Sequence, residues 1–554
     1  MEFAVDARPR DGRGVPRYNG GRLHARDGPL EPSSPSDISS LLEAASRLQR
    51  DGRHADALGA FENCVALAPG HAGAHLGASV ACFQLARWEH GIAHARVAAA
   101  VAPGDPAGWF NIAHGWREAG RPARARPAAL HAVRLAPRLA DAWNLMGLVA
   151  LDEGSIAEAR DCFRRAIEIS PALAAVRVNL ANCDQRDGLL DEALQGYAAA
   201  ERMQPRDVSA AFNRGHLWHT AKGDLPAAIA AYREAIDRDP AFAKAHHNLS
   251  HALFLAGDFA QAWQEYRWRP PRLRHEAALA VRGLRYEPAA DSSPRRLQVL
   301  GEQGPGDLLF FLRFAPRLRE LGFTLDFLGE VRLAGMLRGT GLFESIATAP
   351  EPPIVPGAVL AGDLPLLLPD GERSKAFHPL SLAPDPARLA EARRRLQQAG
   401  EPPYIALAWR AGVASTGPDE SLQKEIPIAA FGTALRGKRA TWVSVQREPR
   451  EGETEALARE IGQPVHDFSA INENLDEALA YMSAFDEWAG VSNTNLHLRS
   501  AAGRGAHVLV PFPPEWRWMA EGASPWFPTV SVHRQRPDGS WAQALAGLAR
   551  GLPD

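Results

Sequence analysis

Residues 297–321 read LQVLGEQGPGDLLFFLRFAPRLREL, and this stretch decides the fold of the second half of the chain. A short apolar run ends in a turn that contains three glycines, Gly301, Gly304 and Gly306. After Asp307 the apolar residues recur at helical spacing. Strand, glycine turn and helix together predict the first crossover of an α/β domain. Such a junction places backbone N–H groups at the carboxyl edge of a sheet, where anions bind.

The sequence before this stretch has a strict internal period. Prolines recur at intervals of 34 residues, with a last interval of 35, at Pro69, Pro103, Pro137, Pro171, Pro205 and Pro240. In one unit, residues 141–171, the small residues Gly147 and Ala159 would allow two helices to approach closely. Period and pattern resemble the tetratricopeptide family over residues 37–270, in about seven repeats. Such arrays form superhelices that hold extended peptides or partner helices.

One polar position recurs on the first helix of the repeats. Asn111, Asn179, Asn213 and Asn248 are equivalent, and Asn144 is displaced by one residue. Asparagine is a modest helix former, so its recurrence indicates a purpose. A ladder of amides could bind a peptide backbone of any sequence, as in the O-GlcNAc transferase type of array that the repeats resemble. The alternative is that these amides join adjacent repeats or meet water.

The regions flanking the array differ in composition. Residues 1–36 are rich in Gly, Arg, Pro and Asp, which predicts a disordered tail. Residues 271–295 form a basic and then Ala/Ser-rich connector, which predicts a linker. Short apolar runs then alternate with helical stretches, which predicts parallel sheets wrapped by helices in two domains, residues 296–385 and 386–554.

The bulk composition excludes several classes of protein. The 554-residue chain has a formal net charge of -3, so nothing in its charge favours nucleic acid or an anionic membrane as a partner. No apolar run approaches the roughly 20 residues that span a bilayer, and the N-terminus lacks a signal peptide. The spacing of the four cysteines, Cys64, Cys82, Cys162 and Cys183, predicts buried thiols rather than disulfides. We therefore expect a cytoplasmic protein without membrane insertion.

The second half also carries a family resemblance. Together with the repeats, its motifs resemble those of bacterial tetratricopeptide glycosyltransferases, whose catalytic half is similar to heptosyltransferases. The resemblance covers most of residues 260–550 and implies two Rossmann-like domains that face a cleft, the GT-B arrangement. The motifs, in chain order, are EQGxGD at 302–307, AWR at 408–410, KEIP at 424–427, VSVQ at 443–446, NTNLH at 493–497 and PPEWRW at 513–518.

The resemblance implies chemical roles for residues of these motifs. Asp307 corresponds to the base that accepts the proton of the acceptor hydroxyl, although an aspartate there also suits a helix N-cap. Glu302, in the same turn, is the reserve candidate. Lys424 and Arg410 are expected to contact the phosphates of the donor, the alternative being solvated surface charges. Gln446 is expected to contribute to donor binding.

A second turn, in GVSNTNLH, is expected to complete the donor site. Ser492, Asn493 and Thr494 would lie where a helix N-terminus meets the donor phosphate. His497, one turn further, is either catalytic or a core histidine. The heptosyltransferase pattern has an aspartate where this chain has Asn493, and the loss of that charge puts the sugar, and the activity itself, in doubt.

The sequence contains no motif for metal-dependent, hydrolase or phosphoryl-transfer chemistry. No His/Cys/Asp cluster has metal-ligand spacing, so we expect metal-independent chemistry. Motifs for a nucleophile elbow or a P-loop are absent. Trp516, Trp518 and Trp526 either stack on a ligand or pack a loop against the sheet.

The resemblance implies a glycosyltransferase that moves a sugar from a nucleotide co-substrate, with no other cofactor, to Ser/Thr of a protein held by the array. Gly304 and Gly306 would contribute to donor binding. Flagellin is the acceptor that the resemblance alone implies. Two alternatives stay open: a non-catalytic repeat scaffold with a degenerate transferase module, and a transferase acting on saccharide or lipid-linked acceptors.

Overall fold

A computed structural model of the chain describes residues 35–286, 295–349, 357–411 and 424–553. The predicted tail, residues 1–36, lies outside these ranges except for the first residues of helix α1, Pro35–Arg50. The chain divides into two compact units, Met1–Ile169 and Ser170–Asp554.

The first unit consists of four helix pairs. In each pair, a turn residue with left-handed backbone geometry separates the two helices: Gly52, Gly120 and Gly154 in three of them, and Ala86 (φ 55°) in the fourth. The 34-residue period therefore reflects a turn that favours glycine. The helices are α1, α2 (His54–Leu67), α3 (Ala72–Gln84), α4 (Trp88–Val101), α5 (Pro106–Glu118), α6 (Pro122–Leu135), α7 (Ala140–Asp152) and α8 (Ile156–Ile169).

Close approach of paired helices depends on small residues, as the sequence predicts. A β-carbon on Gly147 would lie 2.6 Å from the Phe163 ring, and Ala159 is fully buried. Replacing such a glycine would therefore force the two helices apart.

The second unit begins with three more helix pairs. In the middle pair the first helix continues into a π-helical turn, Trp218–Lys222, which ends at Gly223. This turn absorbs one extra residue, because a π-turn carries one residue more than an α-turn; the 35-residue proline interval falls at the same repeat. The helices are α9 (Ala174–Arg186), α10 (Leu190–Met203), α11 (Val208–Leu217), α12 (Leu225–Arg238), α13 (Ala243–Ala256) and α14 (Phe259–Glu265).

The segment that follows the repeats differs from the predicted linker. Residues 271–295 begin inside helix α15, Pro270–Ala280, which carries buried Arg272, His275 and Leu279. Two prolines suit the first turn of a helix, where their missing N–H groups are not needed. The PP pair therefore starts a helix here.

The first α/β region contains one parallel sheet. Its strand order is β3-β2-β1-β4. The last strand of this sheet, β4, has two residues and is followed by a 3-10 segment, Ala361–Leu367. The elements are β1 (Arg296–Leu300), α16 (Pro305–Phe311), α17 (Ala315–Glu320), β2 (Thr324–Gly329), α18 (Ala334–Arg338), β3 (Phe343–Thr348), β4 (Val359–Leu360) and α19 (Asp370–Arg373).

The second α/β region contains a six-stranded parallel sheet of order β12-β11-β10-β5-β8-β9 and a small antiparallel ribbon, β6-β7. Its central strands are buried, as parallel strands covered by helices should be. The elements are α20 (Pro386–Ala399), β5 (Tyr404–Ala408), β6 (Arg410–Ala411), β7 (Lys424–Glu425), α21 (Ile428–Leu435), β8 (Thr441–Ser444), α22 (Glu453–Ile461), β9 (Val465–Asp467), α23 (Leu475–Ala484), β10 (Glu487–Val491), α24 (Thr494–Ala501), β11 (Ala506–Val510), β12 (Val530–Arg534) and α25 (Ala542–Gly551).

An aromatic core joins the last repeat to both α/β regions. Phe254 of α13 stacks on Trp516, with ring centroids 4.2 Å apart. Trp263 of α14 meets Phe314 and Trp526 edge-on, at 5.7 and 6.0 Å. The last repeat therefore shares one hydrophobic core with the sheets.

Two general expectations can be compared with this fold. All four cysteines are buried free thiols, as the sequence predicts. Among the described residues, none of the helices combines the length and the apolar character that crossing a bilayer demands.

Candidate functional site

In both sheets a predicted motif follows a strand that lies beside the point where the strand order reverses. In the first sheet the order reverses between β1 and β4, and in the second between β5 and β10. Ligands of open parallel sheets bind at the carboxyl ends of the strands beside such reversals. The glycine turn follows β1, and the SNT turn follows β10. The topology therefore assigns both turns to ligand-binding edges.

The two turns lie against each other. A β-carbon on Gly306 would stand 3.2 Å from Cδ2 of His497 and 3.5 Å from Oγ1 of Thr494. Gly304, by contrast, faces open space. The carboxyl edges of the two sheets thus meet where α16 approaches the start of α24.

Asp307, beside this contact, is held by an arginine from the second region. Its Oδ1 lies 2.5 Å from Nη2 of Arg517. Arg517 also bonds Glu515, whose other oxygen lies 2.5 Å from Nζ of Lys424. We call these four residues the ion chain. Lys424, predicted to contact phosphate, therefore has a carboxylate partner in this structure.

His497 is buried within the same region. Its ring meets Phe527 edge-on at a centroid distance of 5.3 Å. Burial, and then the charge of Arg517, hold the pKa of His497 well below its ordinary value. Its surroundings therefore disfavour the charged imidazolium form.

Glu302 lies in a different environment from the reserve base that we expected. Its carboxylate accepts two hydrogen bonds from Arg269, at 2.8 and 3.1 Å, and a third from the N–H of Gly362 at 2.6 Å. Burial raises the pKa of Glu302, and Arg269 opposes that rise. Because Arg269 and Gly362 engage its carboxylate and its side chain is only 2% exposed, Glu302 is enclosed in this arrangement and ties Arg269 to the first sheet.

The same arginine reaches a second buried carboxylate. Nη1 of Arg269 lies 2.6 Å from Oδ1 of Asp363, whose other oxygen accepts from the Tyr286 hydroxyl at 2.6 Å. Arg269 and Asp363 are 1% and 0% exposed. A residue at the end of the repeats is thus bound to the edge of the first sheet, after both β1 and β4.

Arg410 and Gln446 also engage protein groups. Arg410 forms a two-point ion pair with Glu453. Oε1 of Gln446 accepts from the N–H groups of Trp409 and Arg410 at 3.0 and 2.9 Å. Nε2 donates to the carbonyls of Arg410 and Arg447. Gln446 therefore fixes the end of β5 against the end of β8, with its hydrogen-bonding capacity used.

The SNT turn caps helix α24. Asn493 Oδ1 accepts from the N–H of Leu496 at 3.1 Å, an N-cap bond. Ser492 is buried, and Thr494 is half-buried. Asn493 can therefore replace an aspartate without loss of the cap.

Asn213 and Asn248 of the recurring position bond residues of neighbouring helices. Asn213 donates to Asn182 Oδ1 at 3.2 Å, and Asn248 hydrogen-bonds Tyr232. Asn111 is buried, whereas Asn144 and Asn179 are half-buried. For Asn213 and Asn248 the structure matches the alternative in which the amides join neighbouring helices.

The tryptophans of PPEWRW and the following loop are packing residues. Trp518 and Trp526 are fully buried, and Trp516 is 5% exposed. Reasoning from the sequence concentrated on these rings and overlooked Glu515 and Arg517 between them. The two charges within this tryptophan-rich segment could have indicated an ion pair, because charges in buried segments are usually paired.

The described ranges contain no group of three or more His, Cys, Asp or Glu side chains arranged to hold a metal ion. The groups available at the candidate site are carboxylates, cationic side chains, backbone N–H groups and the buried imidazole of His497.

Comparisons with known proteins identify the repeats. A model described as TPR repeat matches residues 217–257, and one described as Tetratricopeptide repeat matches residues 42–106 and 112–174. The N-terminal region therefore contains tetratricopeptide repeats, which confirms the prediction made from the 34-residue period.

Over most of its length the chain is similar to Protein FlbA of Caulobacter vibrioides (strain ATCC 19089 / CIP 103742 / CB 15). The two are 25% identical over 540 residues, 91% of this chain and 82% of that protein.

Three similar solved structures each cover part of the chain. YrrB, a TPR protein with an unusual peptide-binding site, is 20% identical with a TM-score of 0.28, over 34% of this chain and 96% of its own. TTC0263, a thermophilic TPR protein of Thermus thermophilus, is 23% identical with a TM-score of 0.29, over 31% and 94%. The APC/C hetero-tetramer Cut9-Hcn1 is 16% identical with a TM-score of 0.37, over 40% of this chain and 44% of that one, so the chain spans less than half of it.

Proposed function

We propose that this chain is a glycosyltransferase that moves a sugar from a nucleotide donor to a Ser/Thr hydroxyl of a protein held by its repeats. The observation that carries the proposal is the contact of Gly306 with Thr494 and His497, which brings together the ligand-binding edges of two parallel sheets. A donor bound at one edge would face an acceptor at the other, as in a GT-B arrangement.

Asp307 is the proposed base. It is the carboxylate of the glycine turn that keeps solvent access, with 37% of its side chain exposed, whereas Glu302 is enclosed. A general base must reach the proton that it removes. In the proposed reaction Asp307 accepts the hydroxyl proton, the hydroxyl oxygen bonds to the sugar, and the bond between sugar and phosphate breaks with its electron pair on the phosphate.

Cations beside Asp307 would stabilise the leaving phosphate. Lys424 and Arg517 both lie in the ion chain, and both can bind phosphate oxygens. No metal ion is required in this proposal, because the two side chains supply the positive charge.

The repeats would deliver the acceptor. Arg269 and the aromatic core fix the last repeat to the first sheet, so a bound polypeptide would be held at a constant distance from Asp307. Flagellin is the acceptor that we propose to examine first.

The decisive experiment incubates the full chain with flagellin and with UDP-, GDP-, ADP- and CMP-linked sugars, and measures the intact mass of the acceptor. We expect one donor to add its sugar mass, and Asp307→Asn to lower the rate by about 100-fold or more. Asp370→Asn is the matched control, because Asp370 also lies in the first turn of a short helix but is 90% exposed.

A non-catalytic scaffold is the second candidate, favoured by the protein carboxylates that hold Arg410 and Lys424. Calorimetry with nucleoside diphosphates and with CMP separates the two candidates. The enzyme should bind its leaving nucleotide, and a degenerate module should bind none.

A further inference from the structure

Arg517 is clamped between the two α/β regions. Its guanidinium carbon lies 4.7 Å from the ring centroids of both Phe310 and Trp516. One side of the group bonds Asp307, from the first region, and the other bonds Glu515. The clamp fixes the guanidinium, so its partners can change without its own displacement.

Three members of the ion chain are largely buried, and Asp307 at its end keeps access to solvent. The side-chain exposure of its members is 8% for Arg517, 13% for Glu515, 20% for Lys424 and 37% for Asp307. Arg313 adds a buried guanidinium that bonds the carbonyls of Phe310, Phe377 and Trp526. Burial, and then the charge of Arg517, hold the pKa of Arg313 well below its usual range.

Arg313 has no carboxylate partner among the described side chains. Lys424 and Arg517 pair with the carboxylates of Glu515 and Asp307, whereas Arg313 bonds backbone carbonyls only. The unpaired positive charge of Arg313 near the ion chain favours entry of a further anion.

One N–H donor of Arg517 has no acceptor among the described residues. Its Nε is buried and has no hydrogen-bond partner in the part of the chain that the structure describes, and the side chain as a whole is more than nine-tenths buried. A buried donor without an acceptor is costly. The two carboxylates that Arg517 now holds thus leave part of its guanidinium unsatisfied.

We infer that the ion chain is an anion-exchange centre: a diphosphate group replaces the carboxylates of Glu515 and Asp307 on Lys424 and Arg517. Carboxylate and phosphate oxygens present the same acceptor geometry to guanidinium and ammonium groups. The exchange would release Asp307 from Arg517 when the donor is bound. This inference rests on the proposed function and adds to it Glu515 as the group that competes with the ligand for Lys424 and Arg517.

Pyrophosphate is the probe, because it carries the shared chemistry without a base or a sugar. Its affinity for the full chain is measured by calorimetry for the wild type and three variants. Glu515→Gln removes the competing charge and should tighten binding by about tenfold, whereas Arg517→Met should weaken it by about tenfold or more. Glu521→Gln, an exposed carboxylate of the same loop, should leave the affinity unchanged.

Opposite results would overturn the inference. If Glu515→Gln binds pyrophosphate no better than the wild type, Glu515 only holds Lys424 and Arg517 in place and does not compete with the ligand. If Glu515→Gln fails to fold, Lys424→Met serves instead, because the partly exposed Lys424 can be removed with less damage; unchanged affinity there equally contradicts the exchange.

The two proposals fail in different ways. Pyrophosphate binding that follows these variants, without transfer to any acceptor, would retain the exchange centre and remove the transferase. If the chain transfers sugar but its affinity for pyrophosphate does not change in the Glu515 and Arg517 variants, the transferase is retained and the exchange centre is removed.

Discussion

Gly306 packs against the ring of His497, and a β-carbon at position 306 would come within 3.2 Å of Cδ2. Both residues belong to turns at the carboxyl edges of parallel strands, in different sheets. The space between the two edges is therefore set by a residue without a side chain.

Gly306→Val should force α16 and α24 apart. Overpacking of this kind typically costs about 1–3 kcal/mol, and we expect urea unfolding to show it together with loss of pyrophosphate binding. Gly304→Val is the control: position 304 faces open space with φ near -63°, so its unfolding midpoint should stay near that of the wild type. Equal effects at both positions would mean that the contact is unimportant.

Arg269→Met should destabilise the second unit. The change leaves the buried carboxylates of Glu302 and Asp363 without their main cationic partner, and breaking such a pair costs about 3–5 kcal/mol. Denaturant titration followed by tryptophan fluorescence measures the loss. Arg267→Met, at an exposed position two residues earlier, should have little effect. For the same reason, removal of residues 37–270 should leave an α/β half that unfolds readily.

Gln446→Glu tests whether this residue is structural. A carboxylate there would face the carbonyls of Arg410 and Arg447, to which Nε2 now donates. We expect a loss of roughly 3 kcal/mol at pH 8. The new carboxyl should have a raised pKa in the folded state, so its destabilisation should diminish as the pH falls and the group becomes a donor again. Gln397→Glu, on the exposed face of α20, should show neither effect.

Ala86→Gly should stabilise the first unit. Ala86 has φ 55° at the turn position that glycine occupies in the other pairs of this unit, and an alanine is strained in that conformation. The expected gain is about 0.5–1 kcal/mol. Ala93→Gly, in the exposed middle of α4, should instead lose about 1 kcal/mol. A destabilised Ala86→Gly protein would contradict the strain argument.

Acid should weaken the fold through buried histidines. Burial, and then the neighbouring His507, lower the pKa of His533 to about 4. Because the unfolded chain takes up that proton near pH 6.5 and the folded one near pH 4, stability falls as the pH drops between these values, by up to about 1.4 kcal/mol per pH unit for each such group. The pKa values of His219 and His247, also lowered to about 4, act in the same direction.

His533→Gln should therefore reduce the dependence of unfolding free energy on pH between 7.5 and 5. His90→Gln, an exposed position, is the control and should keep the wild-type slope. If the unfolding free energy of His533→Gln depends on pH as steeply as that of the wild type, burial of His533 does not contribute to the pH dependence.

Features with a local cause could be predicted from the sequence. The repeats were visible because each turn needs a left-handed residue and each helix contact a small one, at fixed intervals. The glycine turn between β1 and α16 was visible for similar reasons. Both depend on neighbours within a few tens of residues.

Partners of the charged groups could not be predicted. Arg517 and Asp307 are 210 positions apart, and Arg269 and Asp363 are 94 apart. Neither pairing follows from spacing, because the strand order and the docking of the last repeat decide which charges meet. Lys424 and Arg410 were recognised as cations, but their carboxylate partners were not.

The stacking of Phe254 on Trp516 has a consequence for synthesis on the ribosome. Helical repeats can fold one after another as they emerge, since each needs only its neighbour. The last repeat is an exception, because its aromatic partners Trp516 and Trp526 follow much later in the sequence. Its rings stay exposed to solvent and to other nascent chains until those two residues have been synthesised, so this repeat is where a chaperone would be needed.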